Sequence, residues 1–548
     1  MRTDDATDQP SDNTAALSKS TSTGADDGLA GATRTFSIIT LVSRFAGMIR
    51  DVMLVRLFGD TALGSAFLAG FAIPNMFRRL FGEGALSAAF IPQYTSAIKA
   101  DPRDARRFAS MTLLLLGLTT TALTIIIEIV LAVILLTTDQ PPDRALSLRL
   151  IMVMLPFMPL VCLAAILAGM LQVHGRFAPG AAGPIVLNAF IIVAGAWYLV
   201  NARAGDPLAA YTLGVATVLS GLTQCMWFVY LLRKHTRFTR DFTGAGKRTR
   251  SMLARFVPVV IGLGALQLSS FLDVLIAMWP IWFGGEVLGF VPHSLDDASN
   301  IILAATQRLY QFPLGVFGIA VATAAFPLLS RHADDPTQFG DTLRRGLRLS
   351  LFIGLPATLG LILVRDDLSW VLFAGGTMGF SDEGATRSAA VLLGYAPAVW
   401  AYSLNHVFTR AFYARGDTAT PMRISLVMVA CNALLGFGMI GPLREAGLAW
   451  ATSLAATAQC AILAILAQRT LGVTLLDAQT TRAMLRTAAI AVAMAVCVGL
   501  VLALWPTSEA WSSRAARLVA ATIVGGAVYV AAAAFVRAEE LHALLRKT

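Results

Sequence analysis

The sequence predicts an all-α polytopic membrane protein with about fourteen transmembrane helices, arranged as two parallel-related six-helix lobes plus two C-terminal helices. Three observations predict this. Of the 548 residues 56% are hydrophobic and only 14% charged, far from the balance of a water-soluble domain. Apolar runs near the roughly 20 residues that a helix needs to cross a bilayer core of about 30 Å recur along the chain with short connections. Segments of the first half also return, in order, in the second.

The elements follow in chain order. Residues 1–33 carry Asp4, Asp5, Asp8, Asp12, Asp26 and Asp27 among Ser and Thr, with little apolar to bury, and are expected to be a disordered cytoplasmic tail. They lack the basic start and immediate apolar stretch of a signal peptide, so the first hydrophobic helix is expected to be retained. Spans are expected near 36–57, 62–81, 108–137, 148–172, 180–201, 209–232, 254–283, 299–329, 347–374, 387–413, 421–441, 446–467, 484–505 and 516–536. The divisions are then an N-lobe over 34–235, a basic cytoplasmic linker over 236–253, a C-lobe over 254–470, and a C-terminal pair of helices with a short cytoplasmic end over 471–548.

The formal net charge of +10 does not point to nucleic acid, because the basic residues lie between apolar runs rather than on one soluble face. They read instead as topology. The connection after the sixth span holds Arg233, Lys234, Arg237, Arg240, Lys247, Arg248, Arg250 and Arg255, whereas the next, from Gly284 to Ser299, holds Glu286, Asp296 and Asp297 and no Lys or Arg. The first is expected inside and the second outside, which places both termini in the cytoplasm. The five cysteines sit inside apolar runs without metal or disulfide spacing and read as packing residues.

Three matches carry the repeat. Ala216-Thr217 and Gln224-Cys225 return as Ala451-Thr452 and Gln459-Cys460; Ala88-Ala89-Phe90 with Pro92 returns as Ala324-Ala325-Phe326 with Pro327; Gly175 to Pro179 returns as Gly416 to Pro421. A six-helix unit leaves both copies facing the same way, related by an axis along the membrane normal.

Charges within spans are the informative residues, since an Arg at a helix centre costs about 2.5–3.5 kcal/mol to insert. Span one carries Arg44, Arg50, Asp51 and Arg56, and the seven-residue spacings Ser43 to Arg50 and Arg44 to Asp51 make one polar stripe. Arg56 can also simply snorkel at the helix end. Span two ends in Pro74-Asn75-Met76-Phe77-Arg78-Arg79, with Glu83 and Gly84 following. A continuing helix would pair Arg79 with Glu83 and leave Arg78 for a ligand, with Pro74 and Gly84 permitting a hinge; alternatively the two arginines mark the membrane boundary. Arg308 stands near the start of span eight without an acidic neighbour and calls for an anion. Asp273 in span seven and Glu128 in span three are acids in apolar sequence, candidates for ion coupling. The six histidines are scattered, and no HExxH, GxSxG, Walker or dinucleotide pattern occurs, so no enzyme is expected, no cofactor is implied, and any uphill transport would draw on an ion gradient (sodium, proton or chloride), on membrane potential or on product consumption.

The run from Ser43 to Asp51, then Pro74-Asn75, Arg78-Arg79, Glu83-Gly84-Ala85 and Ala89-Phe90-Ile91-Pro92, resembles the MurJ (MviN) lipid II flippases. The likeness extends through Arg308 to Phe312-Pro313, through Phe412-Tyr413 to Pro421, and over all the expected spans. The duplicated plan is shared with the wider superfamily of drug exporters and polysaccharide-lipid flippases. The resemblance implies a multi-pass protein of the bacterial plasma membrane that turns lipid II, the undecaprenyl-diphosphate-linked peptidoglycan monomer, to the outer leaflet. It implies a cationic cavity with functional arginines at Arg44, Arg50, Arg78 and Arg308, Asp51 beside Arg50, a lipid-tail groove on the last two spans, and a sodium-binding acid at Asp273. Its partners would be lipid II, membrane lipids and cell-wall synthesis or division proteins. The chain departs from several members at Ser65 and Gln307, where those have acids; both changes make the cavity more positive. Export of another polyprenyl-diphosphate glycan or of a drug, or a non-transporting scaffold role, are the alternatives.

Overall fold

The computed structural model describes residues 38–545 apart from 83–84, 202, 285, 288–290, 293, 375–378, 507 and 509. It is helical throughout, save a ribbon of two short antiparallel strands, β1 (Glu286–Val287) and β2 (Val291–Pro292). Helix α1 covers residues 38–58. The rest of the first half is α2 (Ala62–Gly82), α3 (Ala85–Ala100), α4 (Pro102–Thr137), α5 (Pro142–Met154), α6 (Phe157–Val173), α7 (Ala178–Val200) and α8 (Pro207–Leu232). The second half is α9 (Ala245–Ala277), α10 (Trp279–Phe283), α11 (Ser299–Pro313), a π turn (Leu314–Gly318), α12 (Ile319–Arg331), α13 (Pro336–Ser369) continuing into a second π turn (Trp370–Ala374), α14 (Asp382–Tyr395), α15 (Val399–Ala414), α16 (Ala419–Leu443) and α17 (Glu445–Thr470). Helices α18 (Ala478–Leu504), α19 (Trp511–Phe535) and α20 (Glu539–Leu545) close the chain. Among the described residues, nine helical segments are long and apolar enough to cross a membrane, which makes this a multi-pass membrane protein.

Helix starts are written locally. Asp101, Asp206 and Asp335 each precede a proline at the first helical position and accept a hydrogen bond from a backbone N–H of the first turn. The carboxylate satisfies a donor that the helix cannot, and proline has no N–H to lose there. The Asp101-Pro102 and Asp335-Pro336 pairs open α4 and α13, corresponding places in the two halves.

Two departures from the sequence expectation stand out. Helix α3 lies between the second and third expected spans, 62–81 and 108–137, where the sequence predicted no helix. In α3, Ala89, Phe90, Tyr94 and Ala97 recur at helical spacing and are all buried, in a cluster with Phe108 of α4 and Met170 of α6. Helix α9 begins at Ala245, inside the stretch expected to be linker.

Packing repeats between the halves. In the first, α2 lies on α5 and α6, and α8 on α6 and α7; in the second, α11 lies on α14, α12 on α15, and α17 on α15 and α16. Helix α9 reaches across to α2, α3 and α4 while packing on α16. The largest core cluster also crosses, joining Met53, Leu54 and Phe58 of α1 and Phe67 of α2 to Ile301, Ile302 and Leu309 of α11. Outward faces are apolar: Ile125, Ile126, Ile129 and Val130 of α4 are exposed, as the lipid side of a span requires.

The halves are sewn together at the end that holds the α1–α2 turn. Gly59 (φ 62°) and Gly379 (φ 138°) meet there, and a Cβ on Gly59 would stand 2.9 Å from the Gly379 carbonyl oxygen. The Asp60 carboxylate accepts from the Ser381 backbone N–H at 3.0 Å and from its hydroxyl. Arg56, rather than ending in solvent, donates to the Val371 carbonyl at 3.1 Å in the second π turn. Ser65 takes a hydrogen bond on its hydroxyl from the Ile301 N–H (3.2 Å) and one on its carbonyl from Asn300 (2.9 Å).

Candidate functional site

Away from that seam the helices part around a cavity of about 760 Å³, walled by α1, α2, α6, α7, α8 and the end of α11. Arg44, Arg50, Asp51, Asn75, Arg78, Arg79 and Arg308 all line it, so the structure brings together residues that lie up to 264 positions apart (308 − 44). Each arrives for a local reason. The seven-residue spacings of α1 turn Ser43, Arg44, Arg50 and Asp51 toward one side. Helix α2 runs unbroken through Pro74 to Gly82, which carries Asn75, Arg78 and Arg79 onto the same wall.

The centre of the charged wall is a three-residue junction. Arg50 donates from Nε and Nη2 to Asp51 Oδ1 at 2.9 and 2.6 Å. The other carboxylate oxygen, Oδ2, lies 3.2 Å from Arg308 Nε of the second half. Asp51 therefore does more than neutralise its neighbour: it is shared by guanidinium groups from both halves. Arg308 is braced by Gln311 Oε1 at 3.2 Å, and Arg50 lies 5.6 Å from the centre of the Phe71 ring. Because one carboxylate serves two cations, the junction keeps an excess positive charge next to open space.

Arg78 is not left without a local partner, as the pairing of Arg79 with Glu83 had suggested. Its Nε donates to Asn75 Oδ1 at 3.0 Å, one turn back, which holds the guanidinium at the cavity wall. Glu83 and Gly84 lie outside the described residues. Arg44 crosses the chain at Gly315, in the first π turn, so closely that a Cβ there would collide with its guanidinium. Beside it Phe45 meets Phe312 edge-on at 5.3 Å.

Two residues of this site escape sequence reasoning. Asn188 of α7, 3% exposed, accepts from Arg50 Nη1 at 2.9 Å and donates to the Ser43 carbonyl at 3.2 Å, tying α1 to α7 and aiming Arg50. Its signal was a lone amide in the apolar run Pro184-Ile185-Val186-Leu187-Asn188. Gly315 had no comparable signal, because only the fold puts an arginine against it. Asp273, by contrast, is not on the cavity wall; it is buried in α9, one turn beyond Ser269, whose hydroxyl accepts from the Asn432 amide of α16 at 3.2 Å. Glu128 is half-buried on α4, also away from the cavity. Among the described residues no group of three or more His, Cys, Asp or Glu side chains is placed to hold a metal ion.

Comparison with known proteins identifies this arrangement. The family model described as lipid II flippase MurJ matches residues 54–520. The chain belongs to the MurJ family. A relative from Vibrio cholerae is 30% identical over 442 residues, covering 78% of this chain and 80% of its own length. One from Rhizobium tropici is 29% identical over 431 residues, covering 76% of each. Both are named probable lipid II flippases. Among solved structures, a lipid II flippase MurJ in an inward closed conformation superimposes with a TM-score of 0.75 at 21% identity, over 92% of this chain and 98% of that one. An inward-facing multidrug resistance MATE transporter of the MOP superfamily follows at 0.64 and 11% identity, over 80% and 98%. The MurJ fold is thus shared with drug transporters, and it is a transporter fold, of a family that is not one of enzymes.

Proposed function

We propose that this chain turns lipid II from the cytoplasmic to the outer leaflet of the bacterial plasma membrane by alternating access, holding the diphosphate in its arginine cavity. The observation that carries the reading is the junction Arg50–Asp51–Arg308, in which cations from both halves share one carboxylate beside a large cavity. A diphosphate offers what Asp51 supplies, anionic oxygens in pairs, but with more charge, and guanidinium forks bind it with paired charge-assisted hydrogen bonds. The ligand then replaces Asp51 as the counter-ion that both halves grip, and the tie between the halves changes with occupancy. Arg44 and Arg78 add positive charge on the same wall, while the polyprenyl tail stays in lipid along α18 and α19.

In this scheme the chain crosses the membrane fourteen times with both termini in the cytoplasm. The basic residues between α8 and α9 support that orientation, as does the acidic character of the connection before α11. The sewn seam at the α1–α2 turn is then the outer gate and the cavity faces inward. No cofactor is required; an ion gradient of sodium, proton or chloride, or the membrane potential, supplies the drive, with Asp273 as the candidate ion-binding acid. Membrane lipids surround the chain, and cell-wall synthesis or division proteins are its candidate partners. The MATE likeness is the ground for a drug-exporter reading, but exporters of cations call for acids in the cavity, and this one is lined mainly by arginines.

The test is rescue of a flippase-depleted cell together with flipping of labelled lipid II in proteoliposomes. Arg78→Ala should insert normally and fail in both; full activity of a well-expressed variant would remove Arg78 from the mechanism.

A further inference from the structure

The cavity has two chemically distinct sides. The arginines stand on α1, α2 and α11, whereas the wall contributed by α6, α7 and α8 carries no charged side chain. Its volume of about 760 Å³ is that of a site for a drug-sized ligand, far more than a diphosphate fills.

On α7 the run Gly180-Ala181-Ala182-Gly183 sets two glycines one turn apart, and each faces a glutamine of a neighbouring helix. A Cβ on Gly180 would lie 3.4 Å from Gln172 Nε2 of α6, and one on Gly183 would lie 3.0 Å from Gln224 Oε1 of α8. Gln224 is only 6% exposed. Its amide nitrogen donates to the Ser220 carbonyl at 3.3 Å, but its Oε1 accepts nothing among the described residues. That oxygen is open to the cavity that Gln224 lines, so a bound group can supply its donor.

The second half shows the same place filled. Gln459 is the repeat partner of Gln224, and its Nε2 is tied to the Ser425 hydroxyl of α16 at 3.1 Å. Counted from Pro179 and Pro421, Ser425 is the counterpart of Gly183 and Met422 the counterpart of Gly180. The half that lines the cavity has lost both side chains.

We propose that Gln224 and Gln172, bared by Gly183 and Gly180, form a subsite for the uncharged hydrogen-bonding part of the headgroup: the acetamido and hydroxyl groups of the sugar joined to the diphosphate. The arginines hold the charge and the amides read what is attached to it. This rests on the flippase reading, and it adds the prediction that charge binding and headgroup discrimination reside on opposite walls.

The experiment measures binding of two probes to the full chain in detergent: undecaprenyl diphosphate, which has no sugar, and lipid II. Gln224→Leu removes the acceptor, and Gly183→Ser restores the side chain of the second half. Both variants should bind undecaprenyl diphosphate as the wild type does and lipid II about fivefold more weakly, the change expected for one neutral hydrogen bond. Unfolding temperature and gel filtration identify a variant that has not folded, and the other then carries the test. Ser425→Gly, the mirror change in the second half, should leave both affinities unaltered. Unchanged lipid II binding by both folded variants, or an equal loss for both probes, overturns the subsite while leaving the arginine clamp in place. A wild type that binds neither probe overturns the flippase reading beneath it as well.

Discussion

Arg308 is the cavity cation supplied by the second half, so Arg308→Ala is the sharpest test of a clamp built from both. Its guanidinium lies 3.2 Å from Asp51 and is 35% exposed on its side chain. At about 3 Å and an effective dielectric of about 20, a phosphate oxygen would attract it by about 5 kcal/mol before desolvation. Partial exposure and the competing carboxylate reduce that to the range of charge-assisted hydrogen bonds, about 1.5–3 kcal/mol. At about 1.4 kcal/mol per decade this is roughly a 10- to 150-fold loss of affinity. Because diphosphate binding also brings its charge near Asp51, the lower end, about 10- to 30-fold, is the expected result. Titration of undecaprenyl diphosphate into detergent-solubilised protein, followed by intrinsic fluorescence, measures it, with Arg308→Lys keeping the charge but losing the fork and falling between. A Kd within about threefold of wild type, in a variant that unfolds at the wild-type temperature, would refute the shared clamp.

The remaining expectations concern the supports of the site. Asp51→Asn removes the resident counter-ion, so diphosphate should bind more tightly while flipping slows, seen by comparing Kd with proteoliposome rates; weaker binding would show that Asp51 positions the arginines rather than competing for them. Asn188→Leu leaves Arg50 without its second partner and the Ser43 carbonyl without its donor, a loss of about 1–3 kcal/mol in stability, read as a lower unfolding midpoint together with weaker diphosphate binding. Arg517→Ala strands Asp367, whose side chain is 3% exposed and which now holds Arg517 at 2.7 and 2.8 Å between α13 and α19. Breaking such a buried pair costs about 3–5 kcal/mol, and the double change to leucine at both positions should recover most of it in thermal unfolding.

The junction also explains the arrangement of the halves. At one end they touch through Gly59 against Gly379, Asp60 against Ser381, Arg56 against the Val371 carbonyl and Ser65 against Ile301. At the other, Arg44 over Gly315 and Phe45 against Phe312 bring α1 to the first π turn. A π turn carries a local irregularity in its hydrogen-bond ladder, which is where a helix can change course when the halves rock.

Much of this was legible in the chain. Long apolar runs can be satisfied only by helices in lipid, because every backbone donor and acceptor must be paired within the segment, so the helices and their approximate bounds follow from composition alone. Arginines within those runs had to face something polar, which is why Arg44, Arg50, Arg78 and Arg308 could be singled out without coordinates. Helix α3 escaped because its buried stripe, Phe90, Tyr94 and Ala97, is too short and too polar on its other faces to read as a span.

What the sequence determined, then, is the membrane class, the duplication and the set of charges that must meet in a solvated space. Only the tertiary structure decided that Asp51 is shared between halves, that Asn188 aims Arg50, that Gly315 makes room for Arg44, and that Asp273 stands apart from the cavity. The reason is physical: burial and helix formation are set by residues near in sequence, whereas pairing and steric room depend on which helix happens to lie opposite, and a single chain read in order does not contain that distance.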